Sequence, residues 1–331
     1  MTAGGEPAGR SGWSDRAAEG VRGQASAQPV VELRHVSKWY GDVVAVSDLS
    51  LELWPGVTGL LGPNGAGKTT TLKAICGLLH PSRGEVRVFG RPIHGDPMLY
   101  RAIGVVPDGD RLYPRLTVRS YVRMQAELQG LASPGDAAER AIAEVGLTEI
   151  GGRRLKGLSK GERQRTKVAG AIVHQPALLL LDEPMTGMDP GQRARFMELV
   201  RIVGSAGVTV LVSSHILAEV ERLASQILVL VGGRLAASGD FHAIRDLMAD
   251  QPRTVMVRAS DARRLASGLI GLPTTVAVEV DGEALRARTR SVEAFATALP
   301  RLARDAAVSL REIRTTDESL EQVFRYLVGR R

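Results

Sequence analysis

The 331-residue chain has a single cysteine, Cys76, and aromatic side chains make up only 4% of it. One thiol cannot build a disulfide scaffold or a Cys-rich zinc site. It fits a reducing cytoplasm. So few rings cannot form a base-stacking surface, and no run of five or six basic residues compensates. Nucleic acid is therefore not an expected partner. The net charge of +7 is mild for this length; it is compatible with weak attraction to anionic lipid headgroups or with an ordinary solvated surface. Long apolar runs are missing too. Purely aliphatic stretches such as Ala177 to Leu181 are short, whereas a spanning helix needs about 20 apolar residues. The chain is thus expected not to cross a membrane alone. What it does have is 44% apolar and 24% charged residues, enough to bury a sizeable core.

Three regions differ in texture. Residues 1–29 are rich in Gly, Ala, Ser and Arg without apolar periodicity and read as a disordered arm. They have no apolar stretch of the kind a secretory signal needs. From Val30 the spacing of Val31, Leu33 and Val36 reads as a strand, and Leu49, Leu51 and Leu53 alternate. Short buried strands are predicted at Val57–Leu61, Ile103–Val106, Leu178–Leu181, Val208–Val212 and Ile227–Val231, with a helix over Lys68–Leu79. Helices between such strands suggest a parallel sheet with helices on its faces. About 115–174 reads as helical throughout, an all-helical insert in the α/β body. Beyond about 243 the pattern becomes strand, helix, two strands joined at Asp281-Gly282, helix Val292–Ala303, strand Ala307–Arg314 and a last helix over Leu320–Val328. That βαββαβ order is ferredoxin-like. The expected division is an arm over 1–29, an α/β body over 30–243 and a small α+β accessory or dimerisation domain over 244–331.

Two motifs carry chemistry. Gly62-Pro63-Asn64-Gly65-Ala66-Gly67-Lys68-Thr69, followed by Thr70, lies between a strand and a helix and matches the phosphate loop G-x-x-x-x-G-K-[ST]. The glycines let successive backbone N–H groups turn inward on a phosphate. The helix N-terminus adds its positive end, Lys68 a compact cation, and Thr69 a hydroxyl for Mg²⁺. The second motif is Leu178 to Leu181 running into Asp182-Glu183. Side chains alternate along a strand, so the two carboxylates point different ways. Asp182 is suited to hold Mg²⁺, and Glu183 to orient an attacking water. Taken alone, such a strand end would be two solvated acids.

At about residues 30–240 the chain resembles the ATP-binding cassette of ABC transporters, on an ordered series of residues. Tyr40, before Gly41, stands where the family stacks a ring on adenine. Leu158-Ser159-Lys160-Gly161-Glu162 stands for its signature, Thr186-Gly187-Met188-Asp189 for its D-loop, and Ser213-Ser214-His215 for the switch histidine. The resemblance implies a P-loop ATPase fold with ATP and Mg²⁺ as cofactors and with Glu183 and His215 in catalysis. Ser159, Gly161 and Asp189 would face nucleotide held by an opposite cassette. Two positions depart from the family pattern. The signature carries Lys160 and Glu162 where Gly and Gln are usual, and Asp108 stands in place of the Q-loop glutamine. Asp108 offers a harder ligand to Mg²⁺ but no N–H₂.

One phosphate loop and one signature imply a dimer, with itself or with a second cassette. The absence of a span implies a chain peripheral at the cytoplasmic face of the cell membrane, bound to separate transmembrane permease subunits through the helical insert around Tyr113 to Gln129. The segment Asp317 to Phe324 resembles the end of cassettes serving ABC-2 type exporters, including drug and antibiotic resistance pumps. Two alternatives stand beside the exporter: an importer motor with a regulatory C-terminal domain, and a soluble cassette protein acting on ribosomes or DNA.

Overall fold

The computed structural model describes residues 28–109, 112–240, 243–244 and 252–315. The chain divides into two compact units, 1–240 and 241–331. The expected arm, apart from its last two residues, and the expected helix Leu320–Val328 lie outside the described residues.

In the first unit, β1 (Val31–Tyr40) and β2 (Val43–Leu53) pair with β4 (Arg83–Val88) and β5 (Arg91–Pro92) in an antiparallel sheet of order β2-β1-β4-β5. Leu33 and Val36 are both buried although three residues apart, because His35 adopts φ 50 and the pairing register shifts there. This local bulge explains a spacing that regular alternation does not produce.

The central sheet has the order β10 (Arg234–Gly239), β9 (Gln226–Val231), β3 (Val57–Leu61), β8 (Thr209–Ser214), β7 (Leu178–Leu181) and β6 (Ile103–Val106). All neighbours are parallel except β10. Apolar cores lie on both faces, as the unbroken aliphatic strands require. On β7, Leu178 and Leu180 join one core with the antiparallel sheet. Leu179 and Leu181 join the other, with the helices.

Between the strands run α1 (Lys68–Ile75), α2 (Pro97–Tyr100), α3 (Val118–Leu128), α4 (Pro134–Glu144), α5 (Lys160–Ile172), α6 (Pro190–Ser205) and α7 (Leu217–Leu223). The stretch expected to be helical throughout contains α3, α4, α5, two 3₁₀ turns and one β-bridge between Thr117 and Arg154. On α3, Val118, Val122 and Ala126 recur at i, i+4 and i+8 and pack into the helical core. The helix expected to reach Leu79 stops at Ile75. Gly77 sits at φ 72, where its N–H meets the Ala74 carbonyl at 3.2 Å and a Cβ would come within 2.6 Å of the Tyr100 ring.

The second unit runs β11 (Arg253–Ala259), α8 (Ala262–Leu269), β12 (Thr275–Asp281), β13 (Ala284–Thr289), α9 (Val292–Asp305) and β14 (Leu310–Thr315). Its antiparallel sheet has the order β12-β13-β11-β14, the ferredoxin-like arrangement. Val257, Leu265, Leu269, Leu285, Phe295 and Leu299 form its core. The last strand begins three residues later than expected because α9 runs on to Asp305 and closes in a Schellman motif. Ala307 adopts φ 54, Val308 N donates to Ala303 O at 2.8 Å, and Ala307 N donates to Arg304 O at 3.0 Å.

Phe295 is almost fully buried in a core confined to the second unit. Phe295→Ala is expected to destabilise that unit by about 3–5 kcal/mol, lowering its urea midpoint. Nucleotide affinity should stay unchanged. An affinity loss in a variant whose first unit remains folded would show the two units to be coupled.

Candidate active site

Parallel sheets present their sites at the carboxyl ends of the strands, and three ends meet here. β3 leads into Gly62, β7 into Asp182-Glu183, and β8 ends at Ser214 just before His215. Gly67 caps α1 in the left-handed region (φ 99), where a Cβ would lie 2.6 Å from the Ala45 carbonyl oxygen. Among the described residues no side chain caps α1, and no acid lies in its first turn. Its N-terminal amides and dipole therefore remain available to an anion. Asn64, Gly65 and Thr69 are exposed, Thr70 is half-buried and Ala66 is buried under the loop.

Lys68, only 6% exposed, turns back into the loop. Its Nζ donates to Gly62 O at 2.6 Å and to Pro63 O at 3.1 Å, and it pairs with Glu183 Oε1 at 3.0 Å. The other Glu183 oxygen lies 2.8 Å from His215 Nδ1 and accepts from Thr186 Oγ1 at 3.3 Å. Asp182, 4% exposed, accepts from Ser213 Oγ at 2.7 Å. The same Ser213 oxygen accepts from Glu183 N at 2.8 Å. Lys68, Asp182, Glu183 and His215 thus form one network, joined by Ser213. Sequence reading did not count Ser213 among the site residues. The signal available was a pair of hydroxyls, Ser213 and Ser214, at the end of a strand whose centre is apolar and buried.

A cleft of about 750 Å³ adjoins this network and is lined by Thr69, Asp108, Lys167, His174 and Asp182, among others. A hydroxyl and two carboxylates on one cleft are the hard oxygen donors that Mg²⁺ prefers. Among the described residues no group of three or more His, Cys, Asp or Glu side chains could hold a metal by itself. Phosphate oxygens would complete such a set. Asp108 is exposed and accepts from Gly109 N at 2.7 Å. Lys167 Nζ donates to the Gly109 carbonyl.

The remaining predicted residues lie elsewhere. Ser159 caps α5, accepting from Glu162 N at 3.2 Å, while Glu162 Oε2 accepts from Ser159 N at 2.7 Å. The Glu that departs from the family signature thereby completes a capping box. Gly161 N donates to Gln192 Oε1 at 3.1 Å, and Asp189 caps α6 by accepting from Gln192 N at 2.9 Å. Ser159, Gly161 and Asp189 make no hydrogen bond or ion pair with the Lys68–Glu183 network among the described residues. Tyr40 is half exposed at the end of β1, with Lys38 Nζ 5.3 Å from its ring centroid.

An anion cradle with its lysine, at the carboxyl ends of parallel strands beside two acids and a histidine, defines a P-loop ATPase. The family model described as "ABC transporter" matches residues 46–186. The chain is 40% identical over 222 residues to the Nod factor export ATP-binding protein I of Cupriavidus metallidurans, covering 66% of this chain and 73% of that one. It is 35% identical over 304 residues to its counterpart in Rhizobium etli, covering 91% and 93%. It is 34% identical over 305 residues to the daunorubicin/doxorubicin resistance ATP-binding protein DrrA of Streptomyces peucetius, covering 90% and 92%. A solved ATP-binding subunit of an ABC transporter superimposes with a TM-score of 0.59 at 30% identity, over 66% of this chain and 93% of that one. A dimeric bacterial cassette does so with a TM-score of 0.59 at 24% identity, over 63% and 98%, and shows the fold. The chain belongs to the ABC transporter family, as an ATP-binding subunit that hydrolyses ATP to drive transport.

His174 generates a prediction of its own. Its Nε2 lies 3.2 Å from Ile103 O, which assigns the proton to Nε2, and its Nδ1 is buried without a partner among the described residues. Burial holds its pKa below the ordinary value and outweighs the carbonyl contact, which acts the other way. The unfolded chain, with an imidazole pKa of about 6.5, therefore takes up the proton more readily. His174 costs no stability above that pH and lowers stability as pH falls below it. The urea midpoint should drop between pH 7.5 and 5.5, and drop less in His174→Gln. An identical pH slope in the variant would remove the assignment.

Proposed function

We propose that this chain is the motor of an ABC-2 type exporter, a peripheral subunit that acts as a dimer on separate permease subunits at the cytoplasmic face of the membrane. The observation that carries the reading is the Lys68–Glu183–His215 chain of contacts at the mouth of an uncapped helix N-terminus. Relatives spanning nine-tenths of this chain, its second unit included, are named for Nod factor export and for drug resistance. The first of these names points outward across a membrane. Among the described residues no helix is long and apolar enough to cross a membrane, so the transport path is assigned to partner subunits. The second unit, which holds none of the predicted site residues, is assigned to assembly or dimerisation.

In this reading the phosphate-loop amides from Asn64 to Thr70 wrap the phosphates, and Lys68 exchanges Glu183 for phosphate oxygens. Thr69, Asp182 and Asp108 would hold Mg²⁺, which supplies charge neutralisation at the transferred phosphoryl group when bound. Glu183, released from Lys68, accepts a proton from the attacking water, and His215 orients it and donates to the phosphate. Tyr40 stacks on the adenine. Ser159, Gly161 and Asp189, remote from Lys68 in bonding terms, serve nucleotide held by the opposite protomer. ATP closes the dimer and hydrolysis opens it.

Glu183→Gln is expected to bind ATP, to lose about 10²-fold or more of its turnover, and to accumulate as an ATP-bound dimer visible by light scattering. Wild-type turnover would remove Glu183 from catalysis. Lys68→Ala should weaken nucleotide binding itself, because a phosphate-paired cation is lost; unchanged affinity in a direct binding assay would overturn the phosphate-loop assignment.

Sites built across two chains can also be tested by mixing. Lys68→Ala and Ser159→Arg homodimers should each be inactive. A mixed dimer contains one composite site with both residues intact and should recover part of the ATPase activity. No recovery in mixed dimers shown to form would argue against shared sites.

A further inference from the structure

Ser213 is the penultimate residue of a buried strand, is 0% exposed, and makes both of its hydrogen bonds inside the site. Its hydroxyl has no freedom of role. An ionised carboxylate can only accept, so Ser213 Oγ donates to Asp182 Oδ1 at 2.7 Å. A backbone amide can only donate, so the same oxygen accepts from Glu183 N at 2.8 Å. One atom on β8 thereby holds the side chain of one acid and the backbone of the next, both at the end of neighbouring β7.

The second of those bonds bears on an unusual conformation. Glu183 adopts φ 45, in the left-handed region that residues with a side chain seldom occupy. Such a conformation persists only where the surroundings over-determine it. It sets the origin from which the Glu183 carboxylate reaches Lys68 with one oxygen and His215 with the other. Ser214, one residue on, points the other way: its hydroxyl donates to Glu219 Oε2 at 2.7 Å and accepts from Ile216 N at 3.0 Å. The two adjacent serines thus divide between the acids of β7 and the turn that carries His215.

We propose that Ser213 is a positioning residue for hydrolysis, whose single hydroxyl sets the aim of Asp182 and Glu183 together. The proposal rests on the reading of Glu183 as the hydrolytic carboxylate. Replacing the hydroxyl by hydrogen, as in Ser213→Ala, leaves the Glu183 amide and an Asp182 oxygen without this partner, while the phosphate loop and Lys68 keep their own contacts. Catalysis should therefore suffer more than nucleotide capture.

The experiment compares Ser213→Ala, Ser213→Thr and Ser213→Cys in the full-length chain. Steady-state ATPase kinetics are measured alongside direct binding of a fluorescent ATP analogue in EDTA and in Mg²⁺. For Ser213→Ala, kcat should fall about 10-fold or more, with KM changed about twofold at most. Binding in EDTA should match wild type, and the gain in affinity on adding Mg²⁺ should shrink. Ser213→Thr, which keeps the hydroxyl, should restore most of kcat; Ser213→Cys, a weak donor, should fall between. Wild-type kcat in Ser213→Ala overturns the proposal. So does an equal loss in all three variants that follows a common loss of thermal stability, since that marks a packing role alone. Glu183→Gln is run in parallel. If it too hydrolyses ATP at the wild-type rate, the reading of the site has failed; if it is inactive while Ser213→Ala is active, only the role of Ser213 has.

Discussion

The pairing of Lys68 with Glu183 joins the phosphate cradle to the hydrolytic end of the site. Lys68 is withdrawn from water and held by two loop carbonyls and one carboxylate. Removing one partner from a buried ion pair costs about 3–5 kcal/mol, because the other charge is left uncompensated. A phosphate arriving at the loop avoids that cost by replacing the carboxylate as counter-ion. In the proposed cycle, nucleotide binding and release of Glu183 are therefore one exchange. The acid becomes free to act only when the anion it is to act upon is in place.

That exchange needs rigid strand ends, and the two cores provide them. The four leucines of β7 alternate between opposite faces and are all buried, so the strand cannot slip by one residue without exchanging both sets. β8 lies between β3 and β7 and is buried along its whole length. Its last two residues hold Asp182 and Glu183 through one serine and shape the histidine turn through the other. The phosphate loop is braced from the far side: Gly233 N donates to Ala66 O at 3.2 Å, and Ser47 N donates to Gly233 O at 2.8 Å. The antiparallel sheet thus contributes to loop geometry without adding a side chain to the chemistry.

The second cluster, Ser159 with Gly161, Gln192 and Asp189, is satisfied within itself. Two helix N-termini, those of α5 and α6, meet there through Gln192, and each is already capped. Glu162 is used in the cap of α5, which gives that departure from the family signature a local structural reason. A composite site across a dimer would place this preformed unit, rather than a flexible loop, against the nucleotide of the other chain.

The amino-acid sequence alone determined much of this molecule. The phosphate loop, the acid pair after four leucines, the alternation of Leu49, Leu51 and Leu53 and the existence of a hairpin at Gly282 are readable because turn chemistry and side-chain period depend on neighbours along the chain. The turn itself falls one residue later than Asp281-Gly282, on Gly282-Glu283, because Asp281 still pairs with Ala284. The early end of α1 and the late start of β14 were not legible. Each is set by a residue with positive φ at a helix terminus, Gly77 and Ala307, and propensity alone does not locate such a residue. Other features were decided only by tertiary structure: the grip of Lys68 on Glu183, the double bond of Ser213 to both acids, and the loss of the Gly161 amide to Gln192. Each joins residues far apart in the chain, and many polar side chains could have made the same bonds. The choice among them follows from strand order, since β8 lies between β3 and β7 and brings one buried hydroxyl within reach of both carboxylate residues.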